Sequence, residues 1–251
     1  MRIYLPWLFR IALSVLCIFV WSKSAFAYRP FDGTDADVAA PGEVEIEFGP
    51  AGYLHEGSEK FLIAPAVIAT LGIKGDREIV LEGRLSTPLG NDSGSRSVLG
   101  DTALSLKQVH RRGSLQEETG LSLASEYSIL LPEVRGKSRT GFGYLGIASQ
   151  RWAATTIHLN GGFFINRGHN WERLLGVIVE GPIEWQVRPV MELLAERIND
   201  GSRTNSALAG VIWQKGQNLA FDFGIRVARV DDQDVYEVRA GLTWHFGTDG
   251  K

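Results

Sequence analysis

The stretch DVYEVRAGLTWHF near the C-terminus alternates with a strict period of two. Tyr236, Val238, Ala240, Leu242, Trp244 and Phe246 fall on one face of an extended chain. Glu237, Arg239, Gly241, Thr243 and His245 fall on the other. Two surroundings suit such a strand: a soluble sheet covering its own core, or a barrel with lipid outside and a wet lumen inside. The pattern recurs. LAFDFGIRV sets Leu219, Phe221, Phe223, Ile225 and Val227 against Asp222 and Arg226. TIHLNGGFFIN sets Ile157, Leu159, Phe163 and Ile165 against His158, Asn160 and Asn166. WQVRPVMEL, LSLASEYSILL and GEVEIEF place Arg188, Glu192, Glu126, Glu43, Glu45 and Glu47 opposite apolar neighbours in the same way.

Turn residues divide the chain into twelve such segments, near 42–53, 61–73, 77–88, 100–111, 118–131, 140–150, 154–166, 172–182, 184–196, 204–214, 217–230 and 234–246. Each is close to the ~9–11 residues a tilted strand needs to cross a bilayer, and the count is even. The segments at 61–73, 140–150 and 204–214 are apolar or glycine-rich on both faces, so their direction stays open. The linkers alternate between short ones (IKGDR, QRWAAT, GPIE) and longer polar ones (AGYLHEGSEK, STPLGNDSGSRSVLG, RINDGSRTNS). That predicts short periplasmic turns opposite longer outer loops, with both termini periplasmic. Trp152, Trp185, Trp213 and Trp244, with Phe246, then mark the periplasmic rim, and Trp171 the outer one, as indole rings favour the membrane–water interface.

The N-terminus agrees with an exported protein. Arg2 and Arg10 precede the short apolar run IALSVLCIFVW, and Ala25-Phe26-Ala27 has the small-x-small form of a signal-peptidase site. The run is shorter than the ~20 residues of a membrane-spanning helix. Cleavage after Ala27 removes the single cysteine, Cys17, and with it thiol chemistry and Cys-ligated metals. Residues 28–251 keep 23 basic side chains against 29 acidic ones, a balance that argues against nucleic acid as a partner. The expectation is all-β: a transmembrane, antiparallel, up-and-down barrel of about 12 strands over 42–246. A cleaved signal (1–27), a linker or stopper (28–41) and a short tail (247–251) complete the chain.

Certain residues also match a family. RPFDGTDADVAAPGEVEIEFG resembles the N-terminal signature of the outer-membrane transporter family associated with the meta-pathway of phenol degradation, although Gly33 intervenes ahead of Thr34-Asp35. LGIKGDREIVLEGRL is similar to its second hairpin, and VLGDTALSLKQV to its Gly-Asp-to-Lys strand through Gly100, Asp101 and Lys107. IHLNGGF and PVMELLAE resemble later strands through Asn160 and Glu192. The resemblance implies an outer-membrane barrel that moves small, often aromatic or apolar compounds.

The expected lumen-lining side chains are Glu45, Glu47, Glu82, Arg84, Lys107, Glu126, His158, Arg188, Glu192, Asp222, Arg226, Glu237, Arg239 and His245. Eight-stranded barrels fill with side chains and barrels of 16–18 strands hold a channel, so twelve suggests a narrow path. The mixed charges suit either a selective conduit or a salt-bridged plug. Asp32, Asp35 and Asp37 make the 28–41 segment a candidate stopper for the periplasmic mouth. Some twelve-stranded outer-membrane barrels are phospholipases, which need a serine beside a histidine on the outward face. His158 has Asn160, not serine, two positions away, and His55, His110 and His169 sit at turns or strand ends. No histidine pair has metal-ligand spacing, and no phosphate loop or nucleophile elbow occurs, so neither catalytic residues nor a cofactor nor a metal is expected. The expected partners are outer-membrane lipid, a small solute and the barrel-insertion machinery, with a monomer the simplest state. A structural or plugged barrel without transport is the alternative.

Overall fold

The computed structural model describes residues 29–90 and 96–247. The signal sequence, its cleavage site and residues 248–251 of the tail lie outside the described residues. Period-two alternation does what it dictates: twelve strands form. They are β1 (Val44–Glu56), β2 (Glu59–Ile73), β3 (Arg77–Pro88), β4 (Val98–Arg111), β5 (Ser122–Leu130), β6 (Gly141–Trp152), β7 (Thr155–Ile165), β8 (Trp171–Glu180), β9 (Val187–Ile198), β10 (Arg203–Gln214), β11 (Leu219–Val230) and β12 (Gln233–Phe246). Each pairs antiparallel with its neighbours in sequence, and β1 pairs with β12 to close the barrel. The closing register sets Glu45 against His245 and Ile46 against Trp244, so like faces meet. Closure removes the free edges that would otherwise seek another strand.

The solvent pattern is inverted. Glu47 and Lys107 have no exposed surface, whereas Leu175 is 70% and Phe163 56% exposed on the outside of the wall. Water cannot reward that arrangement, since each outward leucine or phenylalanine buried would be worth ~1.5–3 kcal/mol. Lipid can. The three undirected strands now have faces. Thr70 of β2, Ile147 and Ser149 of β6, and Leu208 and Ile212 of β10 are buried inside. Leu71, Phe142, Tyr144, Val211 and Trp213 are exposed outside.

Two of the bulges interrupt the ladder where the sequence withdraws donors. Register shifts occur between Phe48 and Ala51 and between Ile63 and Ala66, around Pro50 and Pro65, which have no N–H for a ladder bond. Two expectations need correction. The segment read as a strand from 118 starts only at Ser122, because residues 112–121 fold back over the barrel mouth with a 3-10 turn at Ser114–Gln116. The longer-loop asymmetry also weakens. β1 and β2 are joined by 57–58 alone and β11 and β12 by 231–232, while the terminal end carries the long 112–121 loop. Polar residues expected in loops, such as His55 and Glu59, instead extend the strands.

Candidate functional site

The inner face and the N-terminal segment form one structure. All fourteen expected lumen residues stand on inward register positions, and Glu45, Glu47, Lys107, His158, Arg188, Glu192, Asp222, Glu237 and His245 are buried there. Glu82, Arg84 and Arg239 border open luminal space, as does Glu126, and Arg226 is held in ion pairs with Asp32 and Glu237. Residues 29–40 run among them without regular secondary structure. Buried backbone amides need acceptors, and the wall supplies them. Arg29 N–H donates to Glu47 Oε2 (2.9 Å). Asp32 and Gly33 donate to the two oxygens of Glu192 (2.9 and 2.7 Å). Thr34 donates to Asn160 Oδ1 (3.0 Å), Ala36 to Ser149 Oγ (3.0 Å) and Ala39 to Glu78 Oε2 (2.7 Å). The inward carboxylates are therefore amide acceptors as much as charges.

Cations fix the same segment. Lys107 Nζ reaches Asp35 Oδ1 (3.1 Å), Thr34 Oγ1 (3.3 Å) and Glu78 Oε1 (3.6 Å). Asp32 is held by Arg239 (2.6 Å) and Arg226 (2.8 Å), and Arg239 also donates to the Pro30 carbonyl (2.7 Å). Burial works against the charge of Asp32, but Arg239 and Arg226 outweigh it and hold the carboxyl below its ordinary value. Asp35 is likewise lowered, with Lys107 outweighing burial. Asp37 goes the other way: burial and the neighbouring Asp35 push it up to about 6. Gln116, in the 3-10 turn, clasps the segment from below by donating to Ala36 O (2.8 Å) and Asp37 Oδ1 (3.0 Å).

Gly33 and Gly72 are among the glycines that allow the close approach. A Cβ on Gly33 would stand 3.0 Å from Glu192 Oε1 and 3.3 Å from Asn160 Cγ. On Gly72 it would collide with the Ala39 and Ala40 carbonyls where the chain crosses β2. Spaces lie beside the segment, two of them around Phe31 and Asp32. One, of about 210 Å³, is bordered by Arg29, Asp32, Glu82, Arg84, Glu237 and Arg239. The other, of about 180 Å³, has a largely apolar wall including Phe31, Ile68, Leu130, Leu145, Phe164 and Leu174, with Glu82 and Glu126 at its polar side. Phe31 also packs on the buried Val190, Ile212 and Ala220.

Sequence reading missed two serine–histidine contacts, because both cross between strands. Ser149 Oγ lies 2.8 Å from His158 Nδ1, His158 Nε2 is 3.1 Å from Glu180, and Glu180 pairs with Arg188 at 2.6 Å. This has a triad's connectivity, but Ser149 is wholly buried and its oxygen accepts the Ala36 amide, leaving no place for an acyl carbon. His110 Nε2 meets Ser125 Oγ at 2.6 Å, with no carboxylate recorded behind the ring among the described residues. His245 pairs with Glu45 (2.8 Å). The expected interface aromatics cluster by end: Trp152, Trp213, Trp244 and Phe246 are exposed near the terminal end, and Trp171 at the far end. Trp244 stacks on Phe246 at 4.7 Å. Trp185, expected on a strand, lies instead in the 181–186 loop, where Pro182 accepts its amide.

No family model matches the chain, and no curated protein does. Solved structures do match. An outer-membrane channel from Pseudomonas putida F1 aligns over 86% of this chain and 100% of its own, with a TM-score of 0.64 at 9% identity. The KdgM porin, solved with disordered oligogalacturonate, aligns over 81% and 99%, with a TM-score of 0.52 at 13% identity. The β domain of the Bordetella autotransporter BrkA aligns over 83% and 100%, with a TM-score of 0.51 at 12% identity. At such identities these likenesses show the fold alone, that of outer-membrane β-barrels.

Proposed function

We propose that this chain is an outer-membrane channel for small solutes whose lumen is closed at rest by residues 28–41, with both termini periplasmic. The observation that carries the reading is the hydrogen bonding of six N-terminal amides to wall side chains, which makes the segment a fitted stopper. An inert plug would not need the open spaces beside Phe31 and Asp32. The apolar one, of about 180 Å³, supports small aromatic or apolar solutes, since a ~150 Å³ apolar cavity holds benzene. The meta-pathway transporter family is supported by convergence: Lys107, Asn160 and Glu192, from separate parts of its resemblance, all bind within residues 32–35, which include Thr34 and Asp35.

A disulfide lock tests the reading. Residues 28–251 have no cysteine, and the Cβ position at Gly33 is 3.3 Å from Asn160 Cγ, near the ~3 Å from a Cβ to the far sulfur of a disulfide. Proteoliposomes carrying Gly33→Cys/Asn160→Cys should take up a phenol-sized solute when reduced and exclude it when oxidised. Equal uptake in both states, with the bridge verified by mass, would refute gating by this segment. A barrel that passes no solute even when reduced, while wild type also passes none, would favour the plugged structural alternative.

A further inference from the structure

Outward faces of lipid-facing strands are expected to be apolar up to the interface. On β9–β11 they end, at the far end of the barrel, in arginines, and on β8 Arg173 stands one outward position inside Trp171. Arg173 is the direct register partner of Arg197, and Arg197 of Arg203. Cross-strand partners have Cβ atoms ~4.5–5.5 Å apart, and like charges placed so are destabilising. Something should compensate them, yet no carboxylate is recorded within ion-pair distance of Arg173, Arg197 or Arg203 among the described residues. The nearby acids are otherwise committed: Asp231 accepts from Arg203 N and Ser202 Oγ, and Asp200 from Ser202 N. Arg197 leans across to neutral acceptors, Thr204 O (3.3 Å) and Asn205 Oδ1 (3.2 Å), which orders its guanidinium beside Arg203. Towards mid-wall the same faces continue in exposed Leu175 and Leu193, with small Ala195 and Ala207 between them.

We infer that this sector is a binding site for a phosphorylated lipid of the outer leaflet. Its phosphate sits across Arg173, Arg197 and Arg203, and its acyl chains lie along the apolar stripe below. Guanidinium forks match phosphate oxygens in bidentate geometry, and the anion removes the repulsion within the row. The inference rests on the proposed outer-membrane location and orientation, which put the far end outside.

Native mass spectrometry of the chain from residue 28, refolded in neutral detergent, tests it. The probes are lipid A, lipid A stripped of its phosphates, and inorganic phosphate. The wild type should retain lipid A and lose it when the phosphates are gone. Arg197→Gln/Arg203→Gln should bind about twenty-five-fold more weakly, at roughly fivefold per arginine. Arg229→Gln, whose arginine already pairs with Asp234 at 2.8 Å, should change little. Without lipid, the double variant should keep its heat-shifted mobility to at least the wild-type temperature, since the repulsion it loses outweighs the exposed hydrogen bonds of Arg197. Equal affinity for phosphorylated and dephosphorylated lipid, or undiminished binding by the double variant, would overturn the site. Displacement of lipid A by inorganic phosphate at equal concentration would also overturn it as a lipid site. A chain that binds lipid A but never conducts fails as a channel and keeps this site; a conducting chain indifferent to the phosphates does the reverse.

Discussion

Lys107 has no exposed surface and faces Asp35 and Glu78, one from the segment and one from the wall. Lys107→Met should leave two carboxylates confronting each other, and breaking one partner out of a buried pair costs ~3–5 kcal/mol. The loss should appear as undocking, read as faster proteolysis within 29–41. Asp35→Asn in the same chain should recover part of it, whereas additive losses would mean the two residues do not interact. Asp37 makes the pH dependence. Its carboxyl is raised from 3.8 to about 6 when docked, so the docked state binds the extra proton. Docking should therefore weaken as pH rises through that window, and Asp37→Asn should flatten the change in open fraction there. Asp32 and Asp35, held low by their cations, act oppositely: their contribution is present above the ordinary carboxylate value and lost as pH falls below it. At this scale the charges were legible in the sequence, but not their partners. That Glu192 accepts two amides depends on Gly33 reaching it, which no spacing announces.

Elements were the most legible. Eleven of the twelve expected segments begin within a few residues of an observed strand, because alternation, turn residues and strand geometry all point the same way. The exception, at 118, lies where Gly113 and Gln116 close a 3-10 turn and the loop folds inward, a tertiary choice without local periodicity. The unassigned faces of β6 and β10 follow from lumen surface that is itself apolar, as at Ile147, Leu208 and Ile212. With β6 unassigned, Ser149 could not be placed beside His158. Lipid exposure gives an element-scale prediction. Leu193, 53% exposed near the middle of β9, should cost ~2–4 kcal/mol of folding stability in a bilayer when changed to arginine. Urea refolding into vesicles measures it; an unchanged midpoint would mean that this face does not meet lipid.

As a whole, the molecule is a closed wall of twelve strands wrapped around its own N-terminal segment. The wall's inner carboxylates, Lys107, Arg226 and Arg239 satisfy that segment's amides and acids, so opening on the proposed reading would exchange those contacts for water. A lumen able to hydrate them makes the exchange feasible, and the spaces beside Phe31 and Asp32 are where passage would begin. The central claim is that residues 28–41 close a conducting barrel. Single-channel conductance in a planar bilayer of the chain lacking 28–41, against the intact chain, tests it most directly, with heat-shifted mobility to verify folding. The account predicts larger and longer-lived discrete steps from the shortened chain. A folded, inserted barrel whose conductance is unchanged by the deletion would contradict it.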